Sequence, residues 1–251
     1  MTGTIVFGSL IGAMFVGQQY VQNVMGYTTL QAGLSALPMA ATMILISPVA
    51  AIMIARLGTR TTLSAGIVVV LAGTLLLFTW RADSSYLPVG LADAVIGIGI
   101  GMAGTPASRS IVASVPERRA GMGSGMTDLQ RDLGAAIMQS LVGAVLTVQY
   151  GASVDRQLAA APAAARDQVT EQTASVLRRS LGGARVLAEQ YPTYADAILQ
   201  GAREAFGTGS AWGVAVAAAL VAVGFVVALV RFPHRARELR LEADYAREQD
   251  A

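Results

Sequence analysis

Leu87–Val112 reads LPVGLADAVIGIGIGMAGTPASRSIV, an apolar run broken only by Asp93 and Arg109 among charged residues. A helix rises 1.5 Å per residue, so about 20 apolar residues cross a hydrocarbon core of about 30 Å. Five more segments have this character: Thr4–Tyr20, Leu30–Ile54, Thr61–Trp80, Met122–Val148 and Ser210–Val230. One such segment could be a buried core helix. Six in a chain of 251 residues leave too little polar sequence to wrap a soluble core. The expected fold is an all-α membrane protein, a bundle of six transmembrane helices.

Composition agrees. Hydrophobic residues make up 54% and charged residues 14%, against about 25% charged in a soluble domain. The basic residues, all Arg, are scattered over loops, so no nucleic-acid surface is expected. With no Cys and one His, His234, neither disulfides, metal sites nor bound cofactors are expected. Met1-Thr2-Gly3 leads into the first apolar segment without the basic region or cleavage site of a signal peptide. That segment reads as a retained span, beginning as if inside a longer protein.

Short Arg-rich loops stay in the cytoplasm. Ala55–Arg60 and Pro116–Gly121 each carry two Arg, and the tail from Arg231 carries several more. With six spans these lie on one side, placing both termini in the cytoplasm. Residues 1–148 then hold five spans, 149–209 an extracytoplasmic helical loop, 210–231 the last span and 232–251 a cytoplasmic tail. Within the loop, Tyr191-Pro192 breaks one helical stretch, and Thr193–Phe206 reads as a second short helix before Gly207 and Gly209 open the last span. The loop is either a solvated helical hairpin or a lid or recognition surface. Its few large apolar residues argue against a separately folded domain.

Gly99-x-Gly101-x-x-Gly104 matches a dinucleotide-binding fingerprint, but no strand–turn–helix context surrounds it. Gly97 and Gly101, four apart, instead suggest close helix packing, with or without a hinge. Pro38 and Pro48 fall inside the second span, where each removes a hydrogen bond and can kink the helix. Charges within spans are costly and point to function. Asp93 has no basic residue near it in sequence and could bind a proton or a cation, unless it reaches water at the outer helix end. Arg109, Asp128, Arg131 and Asp132 cluster about the loop between spans four and five. Arg109 and Asp128 are equidistant from its centre, so an antiparallel hairpin brings them to one depth. The cluster is a salt-bridged staple, or a gate or proton relay. Gln18, Gln19, Gln22 and Asn23 end the first span and could line a vestibule.

Val21-Gln22-Asn23-Val24-Met25-Gly26-Tyr27-Thr28-Thr29-Leu30-Gln31-Ala32-Gly33-Leu34, then Leu37-Pro38, resembles the outer loop opening the C-terminal half of fourteen-span drug:proton antiporters of the major facilitator superfamily. Ser114–Gly125 resembles that family's cytoplasmic loop, and Gln130-Arg131-Asp132-Leu133-Gly134 the opening of its next helix. The resemblance implies one half of a major facilitator fold, built of two inverted three-helix repeats. It implies that the first and fourth helices line a cavity, placing Gln18, Gln22 and Asp93 there. Arg56, Gly58 and Arg60 match the family's Asp-Arg-x-Gly-x-Arg loop, with Ala55 in place of the acid. It further implies proton-coupled efflux of amphiphilic small molecules across the plasma membrane, with the proton as coupling ion and no enzymatic activity. Such a half needs an N-terminal half or a second chain to complete its cavity. The alternative is a non-transporting membrane scaffold or partner subunit.

Overall fold

The computed structural model describes residues 2–80, 85–112, 120–160, 170–233 and 235. Arg81 and Asp83, the loop residues Pro116–Arg119, His234 and the tail beyond Arg235 lie outside the described residues. Every regular element among the described residues is helical. These are α1 (Thr2–Asn23), α2 (Thr29–Ser35), α3 (Leu37–Leu57), α4 (Thr59–Leu76), α5 (Tyr86–Val112), α6 (Ala120–Ala160), α7 (Glu171–Arg179), α8 (Leu181–Gln190) and α9 (Ala195–Arg231), with 3-10 turns at Leu77–Thr79 and Pro192–Tyr194. Six stretches are long and apolar enough to cross a membrane; α2 and α3 together form the second.

The sequence motif between the first two spans is a piece of turn chemistry. Gly26 adopts φ +72°, a left-handed conformation that costs glycine little. Thr28 and Gln31 then form a reciprocal capping box that starts α2. The second span differs from the expectation of a helix kinked at Pro38. The chain breaks at Ala36, between α2 and α3, and Pro38 occupies the first turn of α3. A proline fits there, since the amide hydrogen it lacks would have no helical acceptor. Pro48 does lie inside α3.

The packing is an exchange between repeats. α1 packs against α6 and α9, not against its sequence neighbour α3; α5 packs against α3 and α4. Contacts between α4 and α9 join the two sets. Three spans per repeat, an odd number, make the second repeat run opposite to the first. Small residues permit the close crossings. A β-carbon on Gly97 would overlap the Met39 carbonyl and the Thr42 hydroxyl of α3, and one on Gly101 would overlap Ile46. On the other side of α5, one on Gly66 would sit 2.6 Å from the Ala103 nitrogen. α1 and α6 meet in the same manner, through Gly8 and Gly134. Lipid tails are as apolar as leucine, so such contacts, rather than hydrophobic burial, hold the helices together. Gly97, Gly99 and Gly101 are therefore packing residues in an unbroken helix.

The central layer joins Val6 and Leu10 of α1, Ile67 and Val70 of α4, Ala103 of α5 and Val221 of α9. α6 and α9 do not stop where the apolar sequence does. α6 runs on to Ala160, and α9 starts at Ala195. The expected short helix Thr193–Phe206 is thus the first part of the last span's own helix. Gly207 and Gly209 do not interrupt it; a β-carbon on Gly209 would lie 3.1 Å from the Leu146 carbonyl oxygen and 3.2 Å from the Tyr150 nitrogen of α6. With α7 and α8 these overhangs form a cap at one end of the bundle. Tyr150, Val154, Leu181, Ala184, Ala205 and Phe206 make its small core, which continues onto Val24 of α1. The opposite end carries the turn Leu57–Thr59 and the end of α9.

Candidate functional site

The interior of the bundle contains one unusual group. Asp93 sits on α5 with only 7% of its surface exposed, so the expectation that it might reach outer water does not hold. No hydrogen bond or ion pair engages its carboxylate among the described residues. It lies one turn before Gly97, which abuts Met39 and Thr42 of α3. Around it α5 is tied to both pieces of the second span, α3 and α2. The Thr42 hydroxyl donates to the Ala94 carbonyl at 2.9 Å, and the Tyr86 hydroxyl donates to the Ser35 carbonyl at 3.3 Å. Ala36, which caps α3, supplies no side-chain acceptor.

The charge cluster is arranged differently. Asp128, Arg131 and Asp132 lie on the exposed face of α6, and Arg109 is exposed on α5. Arg131 donates to Asp128 one turn away on its own helix. Asp128 is thus engaged locally.

The glutamines at the end of α1 divide between two faces. Gln22 is exposed and Gln18 half-buried, on a stripe continuing from exposed Met14. Gln19 turns toward α6, where the Asn23 amide donates to its side-chain oxygen at 2.8 Å and to its backbone oxygen at 3.0 Å. Gln19 and Asn23 line a cavity of about 250 Å³ beneath the cap. A larger cavity of about 730 Å³ lies between α1, the end of α4 and the foot of α9; Trp80, Asp196, Arg203 and Glu204 are among its walls.

At the other end, Gly58 adopts φ +88° between α3 and α4. Its neighbours' carbonyls, Ala55 and Arg56, both accept from Arg235. Basic groups at a helix C-terminus satisfy its last carbonyls and complement its dipole. Sequence reading marked Arg56, Gly58 and Arg60 but missed Arg235, because 179 residues separate it from its partner.

No group of three or more His, Cys, Asp or Glu among the described residues is placed to hold a metal ion.

A family model for the Major Facilitator Superfamily matches residues 1–139. The chain belongs to the major facilitator superfamily. It is a multi-pass membrane protein of a transporter family. Among curated relatives, it is 33% identical over 154 residues to multidrug resistance protein Stp of Mycobacterium tuberculosis, covering 61% of this chain and 28% of the relative. It is 32% identical over 228 residues to multidrug efflux pump LfrA of Mycolicibacterium smegmatis, covering 89% and 43%. Drug efflux pump JefA of M. tuberculosis is 28% identical over 238 residues, 91% and 46%. The chain thus spans less than half the length of these relatives.

Proposed function

We propose that this chain is the C-terminal half of a drug:proton antiporter of the plasma membrane, exporting amphiphilic small molecules. The efflux reading is supported by relatives named as multidrug resistance proteins and efflux pumps. The proton reading is carried by one observation, the buried and unpartnered carboxylate of Asp93 on a helix wedged between two others. Burial of a charge without a partner is costly. A carboxylate that gains a proton when enclosed and releases it when opened to water couples proton flow to a change of shape.

Alternating access needs two halves rocking about a shared site. The second half, on the same polypeptide or on another chain, would close over the faces of α1 and α5. Gln18 and Gln22 would then line the cavity beside Asp93. Both termini and the Arg56–Arg60 turn would face the cytoplasm, and the cap would face outward. Arg109 would meet Asp128 or Asp132 as the hairpin between α5 and α6 closes, forming a gate.

The test is transport by the assembled two-half protein in proteoliposomes, with a fluorescent cationic dye and an imposed pH gradient. Asp93→Asn should abolish gradient-driven efflux at normal membrane levels. Undiminished efflux by that variant would remove Asp93 from the proton path. Cysteine labelling checks the sidedness, on a chain with no native cysteine. Ser175→Cys should react from outside intact cells and Ala120→Cys should not.

A further inference from the structure

α5 turns one face to both pieces of the second span. Tyr86, Gly90, Asp93 and Gly97 share that face, because steps of three and four residues advance a helix by about one turn. Gly97 abuts Met39 and Thr42 of α3. The Tyr86 hydroxyl reaches the Ser35 carbonyl at the end of α2. Asp93 stands between these two contacts, 7% exposed.

The two contacts close the way to Asp93 in different manners. Toward the C-terminus of α5 the closure is backbone. A β-carbon on Gly97 would overlap the Met39 carbonyl, and a helical backbone cannot turn aside. Toward the N-terminus of α5 the closure is one side chain. Gly90 lies three residues before Asp93, about 4.5 Å along the axis, and has no side chain to fill the space there. The Tyr86 ring fills it. A β-carbon on Gly90 would stand 3.3 Å from Cε1, 3.4 Å from Cζ and 3.5 Å from the hydroxyl oxygen of Tyr86. The phenol therefore lies along α5 with its polar end toward Asp93, within electrostatic reach of the carboxylate.

This second closure is able to open. Tyr86 is 44% exposed, so dense packing does not fix its rotamer. Among the described residues one hydrogen bond holds its tip, to Ser35 at 3.3 Å, longer than the usual O–H···O distance. Ser35 is the last residue of α2, and the helix breaks at Ala36 directly after it. A shift at that break would carry the acceptor away and release the phenol.

We propose that Tyr86 is a positioning residue for Asp93, a side-chain gate whose ring, pinned over Gly90 by the Ser35 carbonyl, separates the carboxylate from water at the outer end of α5. The phenol takes no proton; it decides when Asp93 meets that water. Its use in transport rests on the proposed reading of Asp93 and of the membrane sides, whereas the closure itself is steric.

Thiol accessibility tests the closure, with the chain assembled with a partner half freed of cysteine. Asp93→Cys is made in the parent, in Tyr86→Phe and in Tyr86→Ala. An impermeant, charged methanethiosulfonate is applied from outside to intact cells and from the cytoplasmic side to inverted vesicles. With Tyr86 in place, modification from outside should be slow. Tyr86→Phe keeps the ring but loses a neutral hydrogen bond of about 1 kcal/mol, which should raise the outside rate by up to about fivefold. Tyr86→Ala removes the ring and should exceed that increase, with the cytoplasmic rate unchanged. A variant that merely loosens the bundle speeds modification from both sides, and that result overturns the gate. An outside rate that Tyr86→Ala leaves at the parental value, or an increase confined to the cytoplasmic side, also overturns it. If Tyr86→Ala does not reach the membrane, Tyr86→Phe decides: an outside rate above the parental one supports the gate, and a parental rate overturns it. A failed proton role gives a different pattern. Parental efflux by Asp93→Asn, together with faster outside modification in Tyr86→Ala, removes the proton from Asp93 and leaves the steric closure standing.

Discussion

α5 and α6 each carry an acid among apolar residues, Asp93 and Asp128. α5 is wedged between α3 and α4, and over half of its span is buried inside the bundle, 56% against 28% for α6. Asp93 accordingly sits in protein, with no ion pair to a basic group among the described residues. Asp128 is exposed on α6, on a different face from the exposed stripe of Met122, Met126, Leu129 and Leu133, and it is neutralised by a neighbour one turn away. An enclosed charge without a partner is expensive, whereas an exposed and paired charge costs little. The difference suggests that α5 carries the chemistry and α6 the surface on which a second half or lipid rests.

The largest expected effect breaks or upholds that division directly. In the assembled transporter, Asp93→Asn should reduce gradient-driven dye efflux to background, while Asp128→Asn keeps most of it. Equal losses, with both proteins at parental membrane levels, would abolish the distinction between the two acids.

A second comparison concerns the glycines of α5. Gly97→Leu would drive a side chain into the Met39 backbone, which cannot swing away as a side chain can. Overpacking costs about 1–3 kcal/mol, occasionally more, and a clash with backbone belongs at the upper end. Gly104 has nothing within 4 Å of where its β-carbon would stand. Gly104→Ala should be neutral, or stabilising by up to about 1 kcal/mol through helix propensity. Steric-trap or denaturant unfolding in detergent measures both. A Gly97→Leu protein as stable as the parent would mean that α5 is not locked against α3.

Much of this was legible from composition alone. Six apolar runs of about 20 residues gave six spans because a helix of that length crosses the hydrocarbon core with its backbone polar groups satisfied within the segment. Gly97 and Gly101 were readable as packing residues because four-residue spacing puts them on one helical face. Asp93 stood out as an acid in an apolar run, but its burial did not, since hydropathy says nothing about which side of a uniformly apolar helix meets a neighbour. The cap was misread for a related reason. Apolar character ends near Val148, but helicity does not: the following residues to Ala160 contain no proline and remain good helix formers. Likewise Gly207 and Gly209 resembled a break, yet the close approach of α6 at Gly209 needs a glycine within a continuing helix. Pro38 reads as a possible kink from sequence because the break before it, at Ala36, leaves no apolar signature.

The smallest expected effect calibrates the surface of α6. The side chains of Arg131 and Asp128 are 47% and 56% exposed in this chain. Pairs of this kind on a wetted helix contribute about 0.2–0.5 kcal/mol. A double-mutant cycle of Asp128→Asn and Arg131→Gln on the isolated chain in detergent should return a coupling of that size. The same cycle in the assembled two-half transporter sharpens the comparison with Asp93. Asp128 lies about 12 Å along α6 from Ala120, at 1.5 Å per residue. If the second half covers the charged face of α6, water leaves the pair, and its coupling should rise above the detergent value because a lower local dielectric strengthens the attraction. An unchanged coupling would show that α6 keeps its charged turn in water or headgroups, and that the halves meet along another face.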